Sequence, residues 1–163
     1  MDANETILLA EDDENDVLLL KVAFAKAGLA DKLMRVKDGT EAIQYLNGEG
    51  TYAEREQFPF PCLLLLDLKM PRKNGFEVLE WIRAQPALKH LIVAVLTASK
   101  HDADVRRAYD LCANSYIVKP TTMGGLEKLA TKIKEYWLEL NVKPPCPQAT
   151  LSPNSQDEVS TRP

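Results

Sequence analysis

Five short apolar runs decide what this chain can fold into: TILLA (6–10), LMRV (33–36), LLLL (63–66), LIVAVL (91–96) and SYIV (115–118). Each is too short for an ordinary helix and rich in residues that suit a strand. Between them lie segments whose apolar residues recur at three- and four-residue steps, the spacing of a helix with one buried face. Strands alternating with helices predict an α/β fold, with a parallel sheet covered by helices on both sides through right-handed crossovers. The run Leu63–Leu66 has no polar alternation, so it reads as a strand buried on both faces.

Local signals place the helices. Asp16 is suited to cap the first, which runs to about Ala27 and stops at Gly28. Asp38-Gly39 turns the chain into a second, with Ala42, Ile43 and Leu46 inward. FEVLEWIRA supplies a third, burying Phe76, Val78, Leu79 and Ile82 and ending before Pro86. A fourth spans Asp102 to Leu111, and the last carries a stripe of Leu126, Leu129, Ala130, Ile133, Trp137 and Leu140. Residues 48–61 read as a polar surface loop with one helical turn. One domain is expected over 5–142. Residues 143–163, rich in Pro, Ser, Thr and Gln, are expected to be a disordered tail carrying no output module.

Bulk properties exclude several classes. With 24 acidic and 20 basic residues the net charge is -4, which argues against a nucleic-acid binder. The start, MDANETILLAEDD, has neither the basic nor the apolar part of a secretory signal, and no apolar run approaches the ~20 residues of a membrane span. Cys62, Cys112 and Cys146 form no C-x-x-C pair and have only His90 and His101 to help, so a zinc site is not expected. Cys62 and Cys112 read as small buried residues in a reducing cytoplasm.

The chemistry collects at the strand ends. In such sheets, ligands bind beyond the carboxyl ends of the strands. The first strand ends in Glu11-Asp12-Asp13, the third in Asp67, the fourth in Thr97-Ala98-Ser99 and the fifth in Lys119-Pro120. Taken singly, each is a common turn or cap residue. Together they place carboxylates that repel one another beside a lysine, and such carboxylates stay ionised cheaply only around a cation. Oxygen donors without His or Cys suit Mg²⁺ or Mn²⁺. A metal, an ammonium group and a hydroxyl around one carboxylate make a receptacle for a phosphoryl group, with Asp67 as nucleophile.

With these motifs in register (LLAEDDENDV, LLLLDLKMPRKNG, VAVLTAS and NSYIVKP) the chain resembles the response-regulator receiver domains of two-component signalling over about residues 5–142. The insertion before CLLLLDLKMP, the RRAYDLCANSYIVKP segment and the KIKEYWLELNV ending look most like single-domain regulators that partner phytochrome histidine kinases. The resemblance implies a flavodoxin-like doubly wound (βα)5 fold, with strand order 2-1-3-4-5. It implies that Asp67 is the phosphoacceptor, and that Asp12, Asp67 and the Lys69 backbone carbonyl bind the metal, with Glu11 acting through water. Thr97 would meet the bound phosphoryl group, Ala98 would leave room for the phosphohistidine, and Lys119 would pair with Asp67 and then with the phosphate. Lys69 and Ser99 fall where the family tunes dephosphorylation. A cis bond is implied at Lys119-Pro120. Glu11 stands where many members have Asp, and Asp13 is an extra acid expected to face solvent. Tyr116 is expected to swing in from solvent when Thr97 is drawn to the phosphate. Homodimerisation is implied through the fourth helix, fifth strand and fifth helix, with Tyr136 and Trp137 either extending that face or packing on the body. A sensor histidine kinase and a phosphotransfer protein are the partners implied.

Three other readings stay open on the residues alone. Aspartate-nucleophile phosphatases of the haloacid dehalogenase type share Asp, Mg²⁺ and Lys, but they carry D-x-D on the first strand, whereas Lys69 stands two residues after Asp67 here. A pseudo-receiver would bind partners without phosphorylation. A flavodoxin-like cofactor binder would need a Ser/Thr/Gly-rich phosphate loop after the first strand.

Overall fold

The four leucines of the third run form the middle strand of a five-stranded parallel sheet, and all are at most 1% exposed. The computed structural model describes residues 5–147. The elements are β1 (Ile7–Ala10), α1 (Glu14–Lys26), β2 (Leu33–Val36), α2 (Gly39–Asn47), a 3-10 turn (Gly50–Ala53), β3 (Leu63–Leu66), α3 (Gly75–Ala84), β4 (Ile92–Thr97), α4 (Asp102–Asp110), β5 (Ser115–Val118) and α5 (Met123–Ile133). Strand order is β2-β1-β3-β4-β5, as the resemblance implied.

Alternation along the strands sends side chains into two cores. Leu8, Ala10, Leu64, Leu66, Val93 and Val95 meet α2 and α3 on one face. Ile7, Leu9, Leu63, Leu65, Ala94 and Leu96 meet α1 and α5 on the other. Burying one such leucine contributes about 1.5–3 kcal/mol, so a strand apolar at every position holds helices on both sides.

Parallel register then levels the strand ends. Ala10 pairs with Leu66 and Leu66 with Val95, while β4 runs on to Thr97 beside Val118. Backbone bonds tie the residues beyond: Asp67 N–H donates to the Ala10 carbonyl (3.1 Å), and Lys119 N–H to the Thr97 carbonyl (2.8 Å).

The structure corrects several expectations. Asp13, not Asp16, caps α1, accepting from the Asn15 and Asp16 N–H groups. Capping leaves Asp13 exposed, as expected, and frees Asp16 for another role. The last helix changes from α to π geometry over Lys134–Leu140. A π segment bonds i→i+5, so the three-and-four-residue stripe fails there. Leu138 is buried instead, and Leu140 is 74% exposed. Residues 48–61 are more built than a polar loop: Tyr52, Phe58 and Phe60 pack on the core. Arg55 donates to the carbonyls of Tyr45 (2.8 Å) and Leu46 (3.0 Å), which takes up acceptors left at the end of α2. Cys112 is exposed, in left-handed backbone after α4, while Cys62 is buried as expected.

Lys119-Pro120 is trans, against the implied cis bond, and no cis peptide occurs among the described residues. The two isomers of an X-Pro bond differ by only about 0.5–1 kcal/mol, so residue identity does not fix the choice. Of the expected tail, residues 143–147 run without helix or strand, and Lys143 Nζ lies 3.5 Å from Glu5. The remainder of that expectation, 148–163, lies outside the described residues.

Candidate functional site

Carboxylate oxygens of Glu11, Asp12 and Asp67 come within 4.8 Å of one another. Glu11 and Asp67 are 1% and 6% exposed, while Asp12 faces solvent. Lys119 reaches over them from the end of β5. Its ammonium lies 3.1 Å from Asp67 Oδ2 and 3.0 Å from Asp16 Oδ2, and it forms an ion pair with Glu11 Oε2. The sequence-predicted acids and lysine therefore meet in one crevice. Asp16 was missed, because a carboxylate near a helix start reads as a cap; its lysine partner lies 103 residues away.

Burial sets the electrostatics. Loss of water pushes the Glu11 carboxyl up to about 7, helped by the charge of Asp67 and opposed by Lys119 and the Asp13 N–H. Burial alone would lower Lys119, but its close contact with Glu11 and the charge of Asp67 outweigh it and hold the amine well above its ordinary value. The crevice thus favours the ammonium form of Lys119 and pushes Glu11 towards its neutral form. Their contact has ion-pair distance without good direction, so Glu11 Oε2 accepts no well-aimed hydrogen bond. A buried carboxylate oxygen left in this way is costly.

That oxygen, ion-paired but without an aligned hydrogen bond, stands beside two more carboxylates with no soft donor in the cluster, a set that fits a hard divalent cation. Because a carboxylate supports a cation, directly or through water, only when ionised, cation affinity is expected to rise between about pH 6 and 8 as Glu11 loses its proton. Mg²⁺ titrations followed by calorimetry read this directly. A flat profile over that range contradicts it.

Around the acids, Lys69 N–H donates to Asp67 Oδ1 at 3.4 Å. Thr97 is 1% exposed at the tip of β4, and its hydroxyl accepts from Ser99 N–H at 3.5 Å. The Ser99 hydroxyl turns away, bonding Asp104 Oδ2 at 2.5 Å and accepting from His101 N–H, which ties it to the start of α4. Tyr116 is not out in solvent: its hydroxyl donates to the Ser99 carbonyl at 3.1 Å and its ring packs on the core. Burial pushes that hydroxyl up, and the charges of Asp104 and Asp67 add to the effect, so Tyr116 stands within electrostatic reach of the acid cluster. Beside Lys119 a cleft of about 310 Å³ opens between Leu19, Ala98, Pro120 and Met123.

Glycine clears the space behind Asp67. A Cβ on Gly75 would lie 2.2 Å from the Asp67 carbonyl oxygen, and Gly75 N–H donates to the Leu68 carbonyl at 3.0 Å. At Gly39 a Cβ would lie 2.1 Å from the Lys73 carbonyl oxygen.

Comparison with known proteins agrees with this geometry. The family described as response regulator receiver domain matches residues 7–131. The chain is 38% identical to the "Probable methanogenesis regulatory protein FilR2" of Methanothrix harundinacea, over 85% of this chain and 86% of that one. It is 37% identical to the response regulator Rcp1 of Synechocystis, over 83% of this chain and 90% of that one. Among solved structures, the phosphorylated cyanobacterial phytochrome response regulator RcpA superposes with a TM-score of 0.79 at 38% identity, covering 88% of this chain and all of that one. The Mn²⁺-bound form of Rcp1 superposes at 0.76 with 36% identity, covering 86% of this chain and 99% of that one. With a parallel five-stranded sheet, an acid trio and a lysine at the strand ends, this chain belongs to the response regulator receiver domain family.

Proposed function

We propose that Asp67 accepts a phosphoryl group from a sensor histidine kinase of the phytochrome type and that the chain signals as a single-domain response regulator. The observation that carries this reading is the convergence of Glu11, Asp12 and Lys119 on one buried carboxylate. In the transfer, an Asp67 oxygen bonds to phosphorus as the phosphorus–nitrogen bond of the donor imidazole breaks, and the leaving ring takes up a proton. Asp12, Asp67 and the Lys69 carbonyl would hold Mg²⁺ or Mn²⁺, with Glu11 acting through water, and the bound ion would supply positive charge to the phosphoryl oxygens. Lys119 supplies a second, fixed charge, Thr97 a hydroxyl donor, and Ala98 clearance for the donor ring. The product is an acyl phosphate formed once per chain. The receiver promotes its own phosphorylation and dephosphorylation but turns over no separate substrate, which separates it from the phosphatase reading.

The phosphoryl group adds about -1.5 to -2 charges and three acceptor oxygens. Drawing Thr97 towards it disturbs the Thr97–Ser99–Tyr116 chain of contacts, so Tyr116 reports the change to α4 and β5. Shifting a two-state population from 1:99 to 99:1 requires about 5.5 kcal/mol. A few charge-assisted hydrogen bonds of about 1.5–3 kcal/mol each supply it. Output passes by protein contact, to a phosphotransfer protein or a second copy, through the α4–β5–α5 face. Tyr136, Leu140 and Val142 extend the chain's exposed apolar surface at the end of the last helix, while Trp137 packs on the body. Sedimentation with and without phosphorylation reads the dimer. We place the protein in the cytoplasm, where the kinase's phosphodonor is made; no helix among the described residues is long and apolar enough to cross a membrane.

The test is direct. Incubated with acetyl phosphate and Mg²⁺, the protein is expected to gain the mass of one phosphoryl group, and to gain none when EDTA is present. No uptake under either condition overturns the reading.

A further inference from the structure

Lys119 has three N–H donors, and three carboxylates surround it. Two of them, Glu11 and Asp67, belong to the buried strand-end cluster. The third, Asp16, stands on the first turn of α1 with its side chain 42% exposed, 3.0 Å from the ammonium. A phosphoryl group on Asp67 brings new acceptor oxygens to an ammonium already crowded by three carboxylates. One resting partner must give way.

Burial decides which. Releasing Glu11, 1% exposed, would strand a buried charge, and Asp67 itself carries the phosphoryl group. Asp16, once released, turns to water. We infer that Asp16 is a positioning residue acting through Lys119: it holds the amine in the resting state and competes for it with the phosphoryl group. The α1 carboxylate thereby sets how readily the phosphorylated state forms, without touching the phosphoryl group.

This rests on the reading of Asp67, and the experiment keeps the two apart. Beryllium chloride with sodium fluoride, at saturating Mg²⁺, supplies a phosphoryl stand-in that needs no donor, and calorimetry on the full chain reads its affinity. Asp16→Asn is expected to bind it about two- to five-fold more tightly, the range for an ion pair with one exposed member. Asp16→Glu, which keeps a carboxylate, is expected to match the wild type. Glu14→Gln makes the same charge change two residues earlier, where the carboxylate pairs with Arg35 (2.8 Å); it too is expected to match the wild type. If the wild type binds no fluoride complex, the Asp67 reading falls and this inference with it. If the wild type binds and Asp16→Asn gains nothing, the role of Asp16 is overturned while the Asp67 reading stands. An equal gain in Asp16→Glu or in Glu14→Gln overturns it as well.

Discussion

Asp67→Asn is expected to abolish phosphoryl uptake while leaving the chain folded. The amide has nearly the shape of the carboxylate, so its oxygen still accepts from Lys69 N–H. The amide oxygen is neutral, however, and is no nucleophile towards phosphorus. Stability is expected to hold because Asp67 is one of several acids in a confined space, and its charge is among those that burden Glu11. Removing one member of a repelling set relieves the others, and Lys119 keeps Glu11 and Asp16 as partners. Uptake from acetyl phosphate, read by intact mass, is therefore expected to fall from one group per chain to none, with a melting temperature equal to the wild type or higher. Uptake persisting in the variant contradicts the assignment.

Gly75→Ala is expected to damage both fold and site through a single methyl group. The neighbours a Cβ would meet are backbone atoms: the Asp67 carbonyl oxygen at 2.2 Å and Leu68 Cα at 2.8 Å. Backbone cannot rotate away, so α3 or the end of β3 must shift. Overpacking of this kind costs about 1–3 kcal/mol or more. Because the displaced segment carries Asp67, the rate of uptake is expected to fall about 100-fold, the scale of a 1 Å misplacement in a reacting group. Gly124→Ala is the control. Nothing lies within 4 Å of its Cβ, and it sits within α5. In the first turn of that helix the same substitution is expected to be neutral or to stabilise by less than the about 0.5–1 kcal/mol of a mid-helix position. Denaturant unfolding compares the two, and equal effects would contradict the steric account.

The strands and their tips were legible because their signal is local: an apolar run, then a polar residue at its end. All five strands lie within a residue or so of the runs read from the sequence, and parallel register turns tip residues into neighbours without further information. What stayed hidden was non-local or conformational. Asp16 looked like a cap because nothing in its own segment points to Lys119. The steric role of Gly75 depends on how close α3 passes to β3, which no spacing encodes. Arg55 sat in a stretch that composition marked as polar, yet its guanidinium joins the loop to the end of α2. Leu140 fell outside the core because the π segment altered the helical period, while the position of Tyr116 was set by a carbonyl, Ser99, on another strand's loop.

The most direct measurement is to trap the modified side chain. After incubation with acetyl phosphate and Mg²⁺, borohydride reduction converts an aspartyl phosphate to homoserine, and peptide sequencing by mass spectrometry locates it. The account predicts homoserine at position 67 and at no other aspartate. Homoserine at Asp12 or Asp16 instead, or a phosphoryl group on an unrelated side chain, would contradict it.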